Sequence, residues 1–180
     1  MVAAAPAGLA RMPPAASPVL ELFRRLTNGV YVIGVAHNGR SNAFTAAWLT
    51  QVSFDPLIVS LSINPEHFSY PLLKNSGVFA VNVLRQDQLD LVRHFGCQSG
   101  ANTDKLVGQR WRRGKLGTPV LLDSAAYLEC RVTGTVPAGD HEIVLGQVTD
   151  GELLDPNAVP LRYSDTGDID GSSALYPMTF

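Results

Sequence analysis

Apolar positions recur along this chain with two different periods. Val19, Leu22, Phe23 and Leu26 follow the spacing of one helix face, which predicts a short amphipathic helix stopped by Asn28-Gly29. Leu89, Val92 and Phe95 repeat that spacing and predict a helix over 86–95, with Gly96 after it. Over 126–136 the period falls to two: Leu128, Cys130 and Val132 face one way, and Glu129, Arg131 and Thr133 the other. A turn at 137–140 and a partner strand over 141–148 follow. The apolar, β-branched run 30–36 predicts a buried strand. After it, His37-Asn38-Gly39-Arg40 carries the Asn-Gly pair of a type I′ hairpin, with a return strand from Ser41. Residues 52–54 and 57–63 read as strands separated at Asp55-Pro56, and 78–84 as another. Between them a short helix is predicted over 70–75, with Ser69 as its N-cap and Ser76-Gly77 as its end. Residues 97–118 form a long polar connection around Trp111, and 161–163 a last short strand. Many short strands, closely spaced turns and two or three short helices predict a β-barrel with attached helices.

Composition narrows this picture. With 180 residues, 46% apolar and 17% charged, the chain is long enough for one domain with a large core, and bulk disorder is excluded. A flexible Ala/Pro-rich arm over 1–18, a domain over 19–163 and an acidic tail over 164–180 are expected. The arm has no Lys or Arg before residue 11, and Pro6, Pro13 and Pro14 interrupt it, which argues against a signal peptide. A net charge of −2 argues against a nucleic-acid binder, and no apolar run reaches the length of a membrane span. Cys97 and Cys130 form no CxxC pair and read as reduced thiols of a cytoplasmic protein. The histidines at 37, 67, 94 and 141 are scattered, so no metal site is expected. No dinucleotide, P-loop, nucleophile-elbow or zincin motif occurs. A β-rich domain without a built-in nucleophile or metal often borrows its reactivity from an organic cofactor. The charge is also segregated. Residues 85–115 carry seven basic and three acidic side chains, and 150–180 one basic and six acidic.

A set of ordered blocks is more specific. Residues 41–56 (Ser-Asn-Ala-Phe-Thr-Ala-Ala-Trp-Leu-Thr-Gln-Val-Ser-Phe-Asp-Pro) resemble the flavin-binding segment of the flavin reductase family, the FMN-binding split barrels. Pro65-Glu66-His67-Phe68-Ser69-Tyr70, residues 76–84, Asp104-Lys105-Leu106, residues 117–121, Leu128-Glu129-Cys130 and Gly139-Asp140-His141 continue the match in order. The resemblance covers about 20–163 and is closest to the flavoredoxin-like branch. It implies a six-stranded antiparallel Greek-key-type split barrel. It further implies FMN (or FAD) as cofactor, NADH or NADPH as electron donor, and a homodimer with flavin at the subunit interface. A monooxygenase or another redox protein is the implied partner.

Residue by residue, the resemblance lays Thr45, Ala46, Ala47 and Trp48 along the isoalloxazine and ribityl chain. Their small or flat side chains suit the approach of backbone N–H groups to a planar ring. Thr50 and Gln51 would bond ribityl or phosphate oxygens. Trp48 also reads as a core aromatic. His67, Ser69 and Tyr70 open a short helix where a phosphate would meet free N–H groups, although Ser69 is equally an ordinary cap. Classical members often carry Lys or Arg where this chain has Asn64-Pro65-Glu66, so the phosphate charge must be met by His67, by the helix end or by a basic residue from elsewhere. Asn82, amid apolar neighbours, needs backbone or flavin partners. His141 is the candidate catalytic residue beside the nicotinamide, or else an ordinary strand residue after a turn. The basic stretch holding Lys105, Arg110, Arg112, Arg113 and Lys115 would hold a dinucleotide pyrophosphate or an acidic partner.

Overall fold

The computed structural model describes residues 17–180, so most of the expected arm over 1–18 lies outside the described residues. Among the described residues nine strands form: β1 (Tyr31–His37), β2 (Arg40–Ala46), β3 (Leu49–Phe54), β4 (Leu57–Ile63), β5 (Val78–Val83), β6 (Trp111–Arg113), β7 (Pro119–Leu121), β8 (Ala126–Ala138) and β9 (His141–Leu153). Helices are α1 (Pro18–Phe23), α2 (Tyr70–Ser76) and α3 (Leu89–Gly96). Seven strands pair antiparallel in the order β2-β1-β5-β8-β9-β4-β3, and β6 pairs separately with β7. The main sheet has seven strands where the resemblance implied six, and β3 and β4, separated at Asp55-Pro56 as the sequence pattern predicted, are two of them.

β2 and β3 stand at opposite edges of this sheet, yet only Ala47 and Trp48 separate them in the chain. Two residues span roughly 7 Å at full extension. The sheet must therefore curl until its two edges come close. They do not pair, so a seam stays open between them.

The curled sheet buries side chains on both faces. Ile33, Val35, Phe44, Leu61, Phe79 and Val144 pack in one cluster; Val30, Val32 and Leu84 pack with Val92 and Phe95 of α3 in another. Burial on both faces is why β1 reads as a continuous apolar run rather than an alternation. β7 lies directly against β1: a Cβ at Gly34 would sit 2.2 Å from the carbonyl oxygen of Pro119, so only glycine fits. Asn82 fixes the same contact. Its amide donates to the Val32 and Pro119 carbonyls (2.9 and 3.3 Å) and accepts the Leu121 N–H (2.7 Å). The sequence left backbone or flavin as its partner, and the buried side chain is taken up by backbone.

By contacts, residues 27–170 form one compact unit. It takes in the first part of the acidic tail: Tyr163 N–H, just ahead of the tail, donates to the Asn28 carbonyl, and Ile169 within it packs on the α3 cluster. The other unit joins the described residues up to Leu26 to 171–180. There Ser17 accepts the Leu20 N–H at 3.3 Å as N-cap of α1, its hydroxyl donates to the Pro177 carbonyl, and Phe23 meets Tyr176 at 5.5 Å.

Candidate functional site at the barrel seam

The seam begins where β2 runs out. Thr45, Ala46 and Ala47 are half-buried; Leu49 N–H donates to the Ala47 carbonyl and Ser62 N–H to the Trp48 carbonyl. The N–H groups of Ala47 and Trp48 donate to no atom of the described residues. Small side chains and two uncommitted donors therefore coincide at the seam. Trp48 is 49% exposed, which sets aside its reading as a core aromatic. Its ring meets that of His141 at 4.9 Å. His141 opens β9 after the turn at Gly139 (φ 68°). Its Nδ1 lies 2.9 Å from the Asp140 carboxylate. A carboxylate can only accept here, so Nδ1 carries a proton. The same bond, and the imidazole's charge, hold the Asp140 carboxyl below its usual range.

The other expected contacts divide. The Thr45 hydroxyl donates to the Val92 carbonyl of α3 at 3.0 Å, which leaves its backbone at the seam. Thr50 and Gln51 are exposed on edge strand β3, and their side chains bond to the Gln51 and Ser53 carbonyls. Among the described residues no bond brings them to the segment around His67.

That segment departs from the capping expected of it. Ser69 already has helical backbone angles (φ −78°, ψ −15°) and makes no side-chain cap bond. A Tyr70 N–H to His67 carbonyl bond forms a turn ahead of α2, so the Ser69 hydroxyl points inward and accepts the Asn42 amide at 2.8 Å. The Tyr70 hydroxyl donates to Glu142 and accepts from Lys74 at 3.1 Å, so it too is committed inside the protein. His67 packs on Phe44 at 4.7 Å, and its Nδ1 accepts the Ser69 N–H at 3.2 Å.

Burial, then the nearby charge of Lys105, push the His67 imidazole down to about 4 from its usual 6.5. Between those values the folded chain holds fewer protons than the unfolded one. Stability is therefore lost as pH falls from 6.5 through 4, by about 2 kcal/mol after allowance for partial exposure. His67→Asn keeps an acceptor for Ser69 without the titration, and should flatten that part of the acid limb in urea unfolding at pH 7 against pH 4.5. An unchanged limb would put the titration elsewhere.

Lys105 belongs to the basic stretch expected to hold a dinucleotide pyrophosphate or an acidic partner, yet it is 1% exposed, with its amine on the Phe95 carbonyl at 2.9 Å, so it reaches neither. Burial pushes it down to about 8. Much of the remaining stretch is neutralised in space. Arg110 pairs with Asp123 (2.6 Å), Lys115 with Asp150 (2.7 Å) and Arg112 with Glu152 (3.6 Å). A local sum along the chain does not see these partners, two of which come from the acidic stretch itself.

A family model described as a flavin reductase like domain matches residues 23–169. The chain belongs to that family. Its fold agrees with the NADH:FAD oxidoreductase SgcE6 of Streptomyces globisporus, with a TM-score of 0.77 at 28% identity over 86% of this chain and 95% of that one. A ferric-chelate reductase (NAD(P)H) of Archaeoglobus fulgidus is 28% identical over 81% of this chain and 87% of its own. The high molecular weight rubredoxin of Moorella thermoacetica is 35% identical over 74% of this chain. This flavin reductase-like domain spans 59% of that rubredoxin's length. The sheet of the family's split-barrel fold stays open here between β2 and β3. Among the described residues, no helix of the flavin reductase-like domain is long and apolar enough to cross a membrane.

Proposed function

We propose that the chain is a cytoplasmic flavin reductase that uses NADH or NADPH, with FMN as its first-choice flavin and FAD as the other. The observation that carries this reading is the pair of uncommitted N–H groups at Ala47 and Trp48, beside the exposed Trp48–His141 rings. A flavin bound there supplies the hydride acceptor, at its N5. The chain's own residues orient and desolvate. Ala46 and Ala47 let the backbone come close, the two amides donate to ring acceptors, and Trp48 covers one side. His141 offers Nε2 to the nicotinamide carboxamide. His67 and Ser69 lie toward the phosphate end.

By the family resemblance we expect a homodimer with flavin at the subunit interface. Reduced flavin would serve a monooxygenase or another redox protein. A second reading, a flavoredoxin-like carrier that keeps FMN and passes electrons without oxidising nicotinamide, draws on the longer rubredoxin relative. Purified protein titrated with FMN and FAD, then given NADH or NADPH, tests both. Turnover with bound flavin supports the reductase. Tight flavin without nicotinamide oxidation favours the carrier, and no flavin affinity removes both. His141→Ala should slow nicotinamide oxidation about tenfold, a loss of about 1.4 kcal/mol, with flavin affinity unchanged. Lost flavin affinity would move His141 into the flavin-binding set.

A further inference from the structure

His141 is the side chain proposed to meet the nicotinamide, yet its own turn holds it weakly. It follows Gly139 and Asp140, and its ring touches Trp48 at 4.9 Å and the Asp140 carboxylate at 2.9 Å. The Asp140 side chain is 86% exposed, and an exposed pair beside a turn is screened and adds little. The first residue of a strand is better fixed through its neighbour, because successive side chains leave a strand on opposite faces.

Glu142 is that neighbour. It is half-buried and turns to α2, where the Tyr70 hydroxyl donates to its carboxylate and Lys74 donates to that hydroxyl at 3.1 Å. The Thr135 and Tyr70 hydroxyls, then the Lys74 charge, hold the Glu142 carboxyl below its usual range, so it stays an acceptor at neutral pH. Tyr70 is itself anchored, because its buried ring packs with Phe44, Leu73 and Val144 in one cluster. The residue before it, Ser69, accepts the Asn42 amide of β2 at 2.8 Å instead of capping its own helix. Two adjacent hydroxyls at the start of α2 are therefore spent on two different strands. One reaches β2, which runs on to Ala47 and Trp48; the other reaches β9, which opens with His141.

We infer that Tyr70 and Glu142 are positioning residues for hydride transfer. Their bond makes the start of α2 a bracket that fixes His141 against Trp48 and sets its distance from the seam amides. This rests on the role given to His141 above. Transfer between stacked rings needs reacting atoms about 3–3.5 Å apart, and a misplacement of about 1 Å costs about a hundredfold in rate. The bracket also gives a reason for a phenol at this place in the chain to turn inward.

Two readouts test it, one of them without cofactor. The chain has two tryptophans, Trp48 and Trp111, so in a Trp111→Phe background indole emission reports on Trp48 alone. An imidazole in contact with an indole quenches it. In that background, Tyr70→Phe should raise the emission of the flavin-free chain toward the level of His141→Ala; unchanged emission overturns the inference. The second readout is turnover of the flavin-loaded chain, otherwise unsubstituted, with NADH or NADPH. Tyr70→Phe and Glu142→Ala should each lower kcat about tenfold, with flavin affinity unchanged. Glu142→Gln keeps an acceptor oxygen for the phenol and should recover most of that rate. Added to His141→Ala, Tyr70→Phe should cost nothing further, since it acts through that ring. A lowered thermal midpoint with kcat unchanged would make the bond structural only, and losses that add in the double variant would give Tyr70 a role apart from His141; either overturns the inference. If emission rises as expected but His141→Ala turns over at the full rate, the role of His141 falls, and the catalytic part of the bracket falls with it.

Discussion

Glu129→Ala should lower stability by about 3 kcal/mol, which for a chain of this size is roughly 6–12 °C in the thermal midpoint. The Glu129 carboxylate is fully buried on β8. It accepts the Lys115 N–H (2.7 Å), the Leu116 N–H (2.9 Å) and the Thr118 hydroxyl (3.0 Å). Those bonds shape the turn 114–118 that leads into β7. A buried charge is tolerated where its oxygens are satisfied, and bonds to a charged acceptor are worth more than neutral ones. Alanine leaves the amides and the hydroxyl without an acceptor. Glutamine keeps the shape but turns an NH2 toward donors, so it should recover little. Gly114→Ala should fail for the complementary reason, because its Cβ would sit 2.3 Å from a Glu129 oxygen. Urea unfolding of the three variants checks this; a loss below about 1 kcal/mol for Glu129→Ala would mean that water replaces the carboxylate.

Lys105→Met should remove a pH dependence and leave the fold intact. Burial lowers the Lys105 amine from its ordinary 10.5 to about 8, so the folded chain holds fewer protons than the unfolded one between those values. Stability then rises with pH across that window, by about 3 kcal/mol, and below it the full cost of the buried charge is present. Methionine has similar length and no charge. At pH 7 it recovers part of that cost and gives up the bond to Phe95, so a neutral or stabilised protein is expected. The clearer readout is the slope: unfolding free energy between pH 8 and 10 should become flat. A slope that persists in Lys105→Met would assign the titration to another group.

The sequence made the barrel legible wherever a local rule applies. Asn38 and Gly39 adopt positive φ (48° and 79°), as the Asn-Gly hairpin requires, and Leu89, Val92 and Phe95 do lie on α3. The small segment ending in Trp48 stood out through the family resemblance, and the structure adds two uncommitted N–H groups there, at Ala47 and Trp48. What the sequence hid is the fate of each polar side chain. Asn82 and Tyr70 have the composition of ligand contacts, but whether an amide or a phenol meets a ligand or a backbone carbonyl depends on β7 and β9, far away in the chain. Glu142 had the opposite problem. It follows a hairpin turn, where a charged residue excites no interest until Tyr70 of α2 is brought beside it. The cations at 110, 112 and 115 looked like an exposed basic surface because Asp123, Asp150 and Glu152 reach them only through tertiary pairing.

The seam also sets how the barrel breathes. β2 and β3 are edge strands, so each can fray without disturbing the β5-β8-β9 centre, and their outward amides exchange hydrogen independently. A planar molecule held by the Ala47 and Trp48 amides would tie the two edges at their common corner. Opening one would then require releasing the other. Amide exchange in β2 and β3 should slow together on flavin binding, while β5 and β8 hardly change, so the ligand would act as the missing rung of the barrel.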